Sequence, residues 1–438
     1  MRERLGVTGI GVVAPNGTTT EEYWAATLAG RSGIGPITRF DPASYPARLA
    51  GEVRGFTARE LLPSRITTQT DHWTHMGLVA ADRALADAGV RPADLPEYEM
   101  TVVTASSSGG TEFGQKEMTG LWGKGPDHVG AYQSIAWFYA ASTGQISIRN
   151  GMRGPCAAIA TEQAGGLDAV GQARRMLRSG ARLALVGGTD ASLCPYGLVA
   201  QLSNGGLSTL SDASRAYVPF DEKACGYVPG EGGAMFTVER IDGGRGAGER
   251  GPGEQGPGEH GLGEHGLGEH GLREHGLGEH RPGAPIYGYI AGYAATFDPP
   301  PERERPPTLT RAITLALEDA GLRPDEIDVV FADAMGLPHA DRAEADALNA
   351  IFGPHKVPVT APKTMTGRLY AGGAALDVAT ALLSMRDGVI PPTVGTTDPV
   401  RSLGLDLVLG RPRERTLRTA LVVARGFGGF NAALVLTK

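Results

Sequence analysis

Residues 84–95, ALADAGVRPADL, and residues 316–327, ALEDAGLRPDEI, repeat one another at a constant offset of 232 residues. Asp87, Ala88, Gly89, Arg91 and Pro92 return as Asp319, Ala320, Gly321, Arg323 and Pro324. In each copy a helical pattern ends on a glycine, which can close a helix in the left-handed region, and a short turn leads into an apolar strand. Such junctions occur in any α/β protein. Five identities in register point instead to a duplicated α/β unit. At 438 residues and 41% hydrophobic content, the chain can bury two cores.

The elements around the two copies follow the same plan. The first half reads as a strand at 5–13, a helix from about Thr20 to Ala29, a Gly/Pro-rich loop over 30–63, a helix from Thr74 to Ala88 and a strand at Met100–Thr104. The second half reads as a strand at Ile286–Ala291, a helix at Thr310–Ala320, strands at 327–332 and 357–360, and helices at Ala340–Ile351 and Gly372–Asp387. Two C-terminal strands, ALVVA and AALVL, flank the Gly-rich turn RGFGGFN at 425–431. Between the halves, from Gly251, a five-residue unit recurs as GPGEQ, GPGEH and GLGEH. That stretch has too little apolar mass for a core. The expected division is therefore 1–242, a linker insert at 243–283, and 284–438.

Five of the ten histidines lie in the insert (His260, His265, His270, His275 and His280). Their even spacing in a flexible chain preforms no metal site, so neither metal nor cofactor is expected. A net charge of −7 argues against nucleic acid as a partner. Three cysteines (Cys156, Cys194 and Cys225) without metal-ligand spacing fit a reducing cytoplasm. No apolar run reaches 18 residues, so no membrane span is expected.

The chemistry is expected in GPCAAIATEQAGGLDAVGQARRMLRSG, residues 154–180. A small-residue run leads to Thr161, read as a helix N-cap. Leu167, Val170, Ala173, Arg174 and Leu177 then recur at helical spacing, with Arg174, Arg175 and Arg178 near the negative end of the helix dipole. A residue at such an N-terminus looks into free N–H groups, a natural seat for a nucleophile. The occupant is Gln163, whose carboxamide has no nucleophilic lone pair and no acidic proton. Cys156, seven residues earlier, is read as an inert buried thiol.

GPCAAIATEQAGGLDAVG, PFDEKACGYVPGEGGAM (219–235), PKTMTGRLYAGGAALD (362–377) and RGFGGFNAAL (425–434) together resemble the motif series of the β-ketoacyl synthases. The likeness spans the chain apart from the pentapeptide insert. It implies the thiolase fold, in which two duplicated βαβαβ halves form a layered αβαβα architecture. An active member needs a cysteine at the elbow, where Gln163 stands, and two histidines, whose places fall on Asp333 and Arg368. The lysine of the third motif is retained as Lys363. Glutamine forms no thioester, a lone Asp333 would repel an enolate, and Arg368 stays charged. TEQAGGLDA and MTGRLY most resemble the chain length factor, the β subunit of bacterial type II aromatic polyketide ketosynthases.

That resemblance implies a heterodimer with a catalytic ketosynthase α subunit, an acyl carrier protein reached through the complex, and a tunnel holding the poly-β-ketone. The segment SSSGGTEFGQKEMTGLW matches the gating helix, with the gate on Thr111, Gly114 and Met118. Spacings of three and four put these on one helical face. Small and flexible residues there imply a deep pocket and a product of decaketide size or longer. Trp137, Phe138 and Tyr139 are assigned to the partner interface, where aromatics are favoured. His339 is read as a loop or surface residue, and Glu231 and Asp190 as loop-holding carboxylates. Three readings follow: a non-catalytic subunit that sets chain length, a malonyl-carrier-protein decarboxylase in which Gln163 donates to the enolate oxygen, or a relic paralogue with no role in a tunnel.

Overall fold

The computed structural model describes residues 4–241, 285–299 and 307–438. The pentapeptide insert and the histidines in it lie outside the described residues. Among the described residues the central sheet has eleven strands, five from each half and a short eleventh, Asp406–Leu407, at one edge. The first five are β1 (Arg4–Val13), β2 (Met100–Ala105), β3 (Cys156–Ile159), β4 (Leu183–Asp190) and β5 (Gly232–Ile241). The second five are β6 (Gly288–Phe297), β7 (Val329–Phe331), β8 (Pro358–Thr360), β9 (Thr419–Gly426) and β10 (Phe430–Thr437). The first set lies in the order β3-β2-β4-β5-β1 and the second in the order β8-β7-β9-β10-β6. In each, the first three strands run parallel and the last two join antiparallel. The halves meet where Gly6 and Val7 of β1 pair with Tyr289 and Gly288 of β6.

The helices explain the layering. They are α1 (Thr20–Leu28), α2 (His72–Asp87), α3 (Thr111–Lys124), α4 (Ala141–Asn150), α5 (Gly165–Arg178), α6 (Pro195–Leu202), α7 (Leu309–Ala320), α8 (Pro338–Phe352) and α9 (Ala371–Asp387). From Ala371 to Met385, α9 is buried on every side, as its nearly unbroken small and apolar sequence requires. It packs with α5 between the two halves of the sheet. The strands alternate accordingly: Ala184 and Val186 of β4 face this central core, while Leu183 and Leu185 face the α2 side. In β9, Ala420, Val422 and Ala424 face the centre, and Leu421 and Val423 face α7. The result is five layers, as the resemblance implies.

The repeated motif does the same work twice. Asp87 Oδ2 accepts the Ile10 N–H of β1 at 2.8 Å, and Asp319 Oδ2 accepts the Tyr293 N–H of β6 at 2.9 Å. A Cβ on Gly9 would meet the Ala84 carbonyl at 2.1 Å, and one on Gly292 would meet the Ala316 carbonyl at 2.1 Å. Only glycine lets each strand lie this close to its helix. Arg174 departs from its expected role at the end of α5: it is buried and paired with Asp319. The loop over 30–63 carries a small ribbon, Ile34–Pro36 against Leu49–Gly51. Among the described residues no helix is long and apolar enough to cross a membrane.

Candidate functional site

β3 ends at Ile159, and the chain turns through a 3-10 segment, Glu162–Ala164, before α5 begins at Gly165. Thr161 stands at the N-cap position of that turn, but its side chain caps no backbone N–H. The tighter turn moves the helix start past it, and its hydroxyl donates instead to Asp168 Oδ2. Glu162 sits at φ +52°, a strained position for a residue with a Cβ. Gln163 is 1% exposed, and its Nε2 finds no hydrogen-bond partner among the described residues. That nitrogen lies 2.5 Å from where a Cβ on Gly373 would stand, so the glutamine amide occupies space that the glycine leaves.

The other two altered positions meet each other. Arg368 Nη1 donates to the Asp333 carbonyl at 2.8 Å and to Oδ2 at 3.2 Å, and Nη2 donates to Oδ1 at 3.1 Å. Nη2 also reaches the Arg425 carbonyl at 3.1 Å, and the Arg425 N–H donates to Asp333 Oδ1 at 3.0 Å. The Tyr227 ring lies under the guanidinium, 5.5 Å from centroid to Cζ. Burial pushes the Asp333 carboxyl up, but the charges of Arg368 and Lys363 outweigh it and hold the group below its ordinary value. This corrects the expected repulsion: Asp333 is neutralised by its partner and presents no free charge to a ligand.

α8 explains the placement of Asp333. Glu344 accepts the Asp333 and Ala334 N–H groups at 2.7 and 2.8 Å, and Asp341 accepts those of Phe220 and Gly336 at 2.8 and 2.9 Å. The two carboxylates, three residues apart, share one helical face and pin the loop before it. Burial and the charge of Asp333 push Glu344 up to about 7. Lys363 is buried against Asp377 at 2.7 Å. His339 lies in the first turn of α8 rather than in a loop, and is exposed.

The elbow and the C-terminal hairpin also meet. Glu162 Oε2 accepts the Gln163 N–H at 2.6 Å and the Phe427 N–H at 2.8 Å. Burial raises the carboxyl above its ordinary value, against the opposing pull of Arg368 and the two N–H groups. Glu162 and Arg425 carried no role in the sequence reading. The available signal was an acid immediately before the elbow residue, together with a hairpin whose glycines let backbone approach.

The other expected residues lie around this centre. Asp190 accepts from Ser106, Ser107, Ser108 and Ala371, and Glu231 from Val53 and Arg39, so both carboxylates hold loops. Cys156 is exposed on the edge strand β3, not buried, because no strand among the described residues pairs with that edge. Thr111, Gly114 and Met118 lie along α3 but meet different surroundings. Thr111 donates to the Ala191 carbonyl at 3.4 Å, and a Cβ on Gly114 would stand 3.0 Å from Trp137 Cδ1. Met118 lines an open cleft of about 740 Å³ with Tyr45, Trp122, Tyr196 and Val199. Trp137, Phe138 and Tyr139 are 48, 58 and 37% exposed, and none of the three lines that cleft.

Comparison with known sequences gives the family. The description "Beta-ketoacyl synthase, N-terminal domain" fits residues 2–242, and "Beta-ketoacyl synthase, C-terminal domain" fits residues 287–397. The chain belongs to the β-ketoacyl synthase family. Within that family it is 58% identical over 433 residues to the tetracenomycin polyketide synthase ketoacyl synthase beta subunit of Streptomyces glaucescens, covering 99% of this chain and 98% of that one. It is 50% identical over 432 residues to the actinorhodin polyketide putative beta-ketoacyl synthase 2 of Streptomyces coelicolor, with coverage of 99% and 98%. Among solved structures it is similar to the ishigamide ketosynthase/chain length factor, with a TM-score of 0.83, 26% identity and both chains covered in full.

Proposed function

We propose that this chain is the non-catalytic β subunit of a type II polyketide ketosynthase, a chain length factor that shapes the tunnel in which a poly-β-ketone grows. The observation carrying this reading is the buried Arg368–Asp333 pair beside Gln163. A condensing enzyme needs a nucleophile to hold the acyl chain and bases that move protons. Here an unreactive amide stands where the nucleophile would be, and the two remaining groups neutralise each other. A protein with the family fold and no reactive atom acts by binding and shaping.

The partner is a cysteine-bearing ketosynthase α subunit, with acyl carrier protein delivering malonyl units to the pair in the cytoplasm. Support comes from the relative described as a beta subunit, from the solved ketosynthase/chain length factor, and from the exposed aromatic surface at Trp137, Phe138 and Tyr139. Thr111, Gly114 and Met118 form the tunnel wall on α3, and the cleft at Met118 is open until the partner covers it. The small side chains at the first two positions favour a long product, of decaketide size or more. The division into residues 1–242, an insert and 284–438 is the arrangement we assign to the two halves.

Intact-mass analysis of malonyl-carrier protein tests the reading. Polyketide from the pair, and no acetyl-carrier protein from this chain alone, is the expected result. Prompt acetyl-carrier protein from the chain alone, lost in Gln163→Ala, would make it the decarboxylase instead.

A further inference from the structure

We propose that Asp71 is a positioning residue for chain length: standing at the start of α2, it caps α3 and fixes where Thr111 and Gly114 sit in the tunnel wall. This rests on the reading of α3 as that wall. A helix leaves its first N–H groups without partners inside it. α3 cannot cap itself, because its N-cap position is Gly110, which has no side chain. Nor could a larger residue stand there, since a Cβ on Gly110 would meet the Ala136 carbonyl at 2.1 Å. The cap comes instead from 42 residues upstream, where Asp71 Oδ2 accepts the Phe113 N–H at 2.7 Å. Phe113 lies in the first turn, between the wall positions Thr111 and Gly114.

Asp71 suits this role because it is itself held. It is the N-cap of α2, its Oδ1 accepts the Trp73 N–H at 3.2 Å, and it is 2% exposed. Behind it Trp73, Met76 and Leu78 are fully buried, so α2 is a fixed reference. α3 is not: of its 14 residues only Gly114 is buried. Packing within the chain therefore places its first turn weakly, and the hydrogen bond to Asp71 sets its position. The other ties count for less. Arg39 Nη1 stands 3.6 Å from Glu112, whose side chain is 46% exposed, and such pairs contribute little. Thr111 reaches the Ala191 carbonyl only at 3.4 Å, and the contact of Gln115 Oε1 with the Tyr196 N–H, at 2.6 Å, is exposed and lies past Gly114. Without the cap, Thr111 and Gly114 hold no single place, and a growing chain meets a wall of variable depth.

Asp71→Ser isolates the tie. Serine is as good an N-cap for α2, but its hydroxyl is shorter and cannot also reach Phe113. The full chain is paired with its ketosynthase and carrier protein, and polyketide masses are read as shares of the total, which a smaller amount of folded protein would not change. The main chain length should lose about twofold or more of its share to shorter and longer products, the scale of one lost cap. Thr111→Phe runs alongside. A shift with Thr111→Phe and unchanged shares with Asp71→Ser would overturn the proposal and leave the wall reading standing. No shift with either would remove the wall reading and the proposal with it. If the serine variant does not fold, Asp71→Asn takes its place, since its single acceptor oxygen serves only one of the two N–H groups, and hydrogen exchange shows which. Faster exchange at Phe113 should come with changed shares, and unchanged shares would sink the proposal. Faster exchange at Trp73 alone should leave the shares as they were, and changed shares there would sink it too. Unaltered exchange at both amides would deny the contact itself.

Discussion

Arg368 holds Asp333 by three contacts, two to the carboxylate and one to the carbonyl of the same residue, with every partner buried. Aligned motifs could say that two histidines were missing. They could not say that Asp333 and Arg368 grip each other.

Arg368→Ala leaves the Asp333 carboxylate uncompensated in the interior, so a loss of about 3–5 kcal/mol is expected. Replacing both residues together, as Arg368→Met with Asp333→Leu, should recover most of it, because no unpaired charge remains. Chemical denaturation of the four proteins in the cycle measures the difference. The sign with pH follows from the lowered carboxyl of Asp333. Its contribution is present above the unfolded carboxylate value of about 3.9 and is lost as pH falls below that.

Two groups near the base of α3 should titrate in opposite senses. Burial pushes Asp71, which accepts the Phe113 N–H at 2.7 Å, up to about 7, and it pushes His75 down to about 4. The folded state favours protonated Asp71, so that contribution is greatest below about 4 and declines as pH rises towards 7. Neutral His75 contributes above its unfolded value of about 6.5, and the contribution is lost as pH falls through that range. His75→Leu removes only the second effect. Between pH 4.5 and 7 the melting temperature of this variant should fall more steeply than that of the unaltered chain.

The duplicated aspartates allow a matched comparison. Asp87→Ala and Asp319→Ala should each cost about 1–3 kcal/mol by orphaning a strand N–H. The Asp319 change should cost more, since it also leaves Arg174, whose side chain is 6% exposed, without its carboxylate and with only the Ala291 carbonyl to accept from it. Equal losses in urea denaturation would show that the Arg174 pair contributes little.

At the proposed wall, Thr111→Phe fills space on α3 and should shift the products of the reconstituted pair to shorter chains. Gly114→Leu should do the same by displacing Trp137, which stands 3.0 Å from the position of a Cβ. Product masses decide, and unchanged masses would remove α3 from the wall.

Trp137→Ala and Phe138→Asp should weaken association with the ketosynthase. A central aromatic typically costs 2 kcal/mol or more when truncated, about thirtyfold in Kd. Sedimentation of mixed subunits reads this directly, and full association by both variants would move the interface elsewhere.

The sequence by itself determined the duplication, the strands and helices next to its two copies, and the amide at Gln163 where a nucleophile could sit. These rest on local signals: a five-residue identity repeated at fixed offset, apolar periodicity, and the chemistry of one side chain at a helix start. Tertiary structure decided what the altered residues do. Whether Asp333 repels a ligand or pairs with Arg368 depends on two loops 35 residues apart meeting in the interior. Whether the Glu162 carboxylate is solvated or accepts a backbone N–H depends on a hairpin 265 residues away. The same limit applies to Thr161, whose hydroxyl was claimed by Asp168, and to Cys156, left exposed because its strand lies at an unpaired edge. Charge and hydrogen-bond partners are set by proximity in space, and a chain pattern carries no record of which distant carbonyl or amide will be within 3 Å.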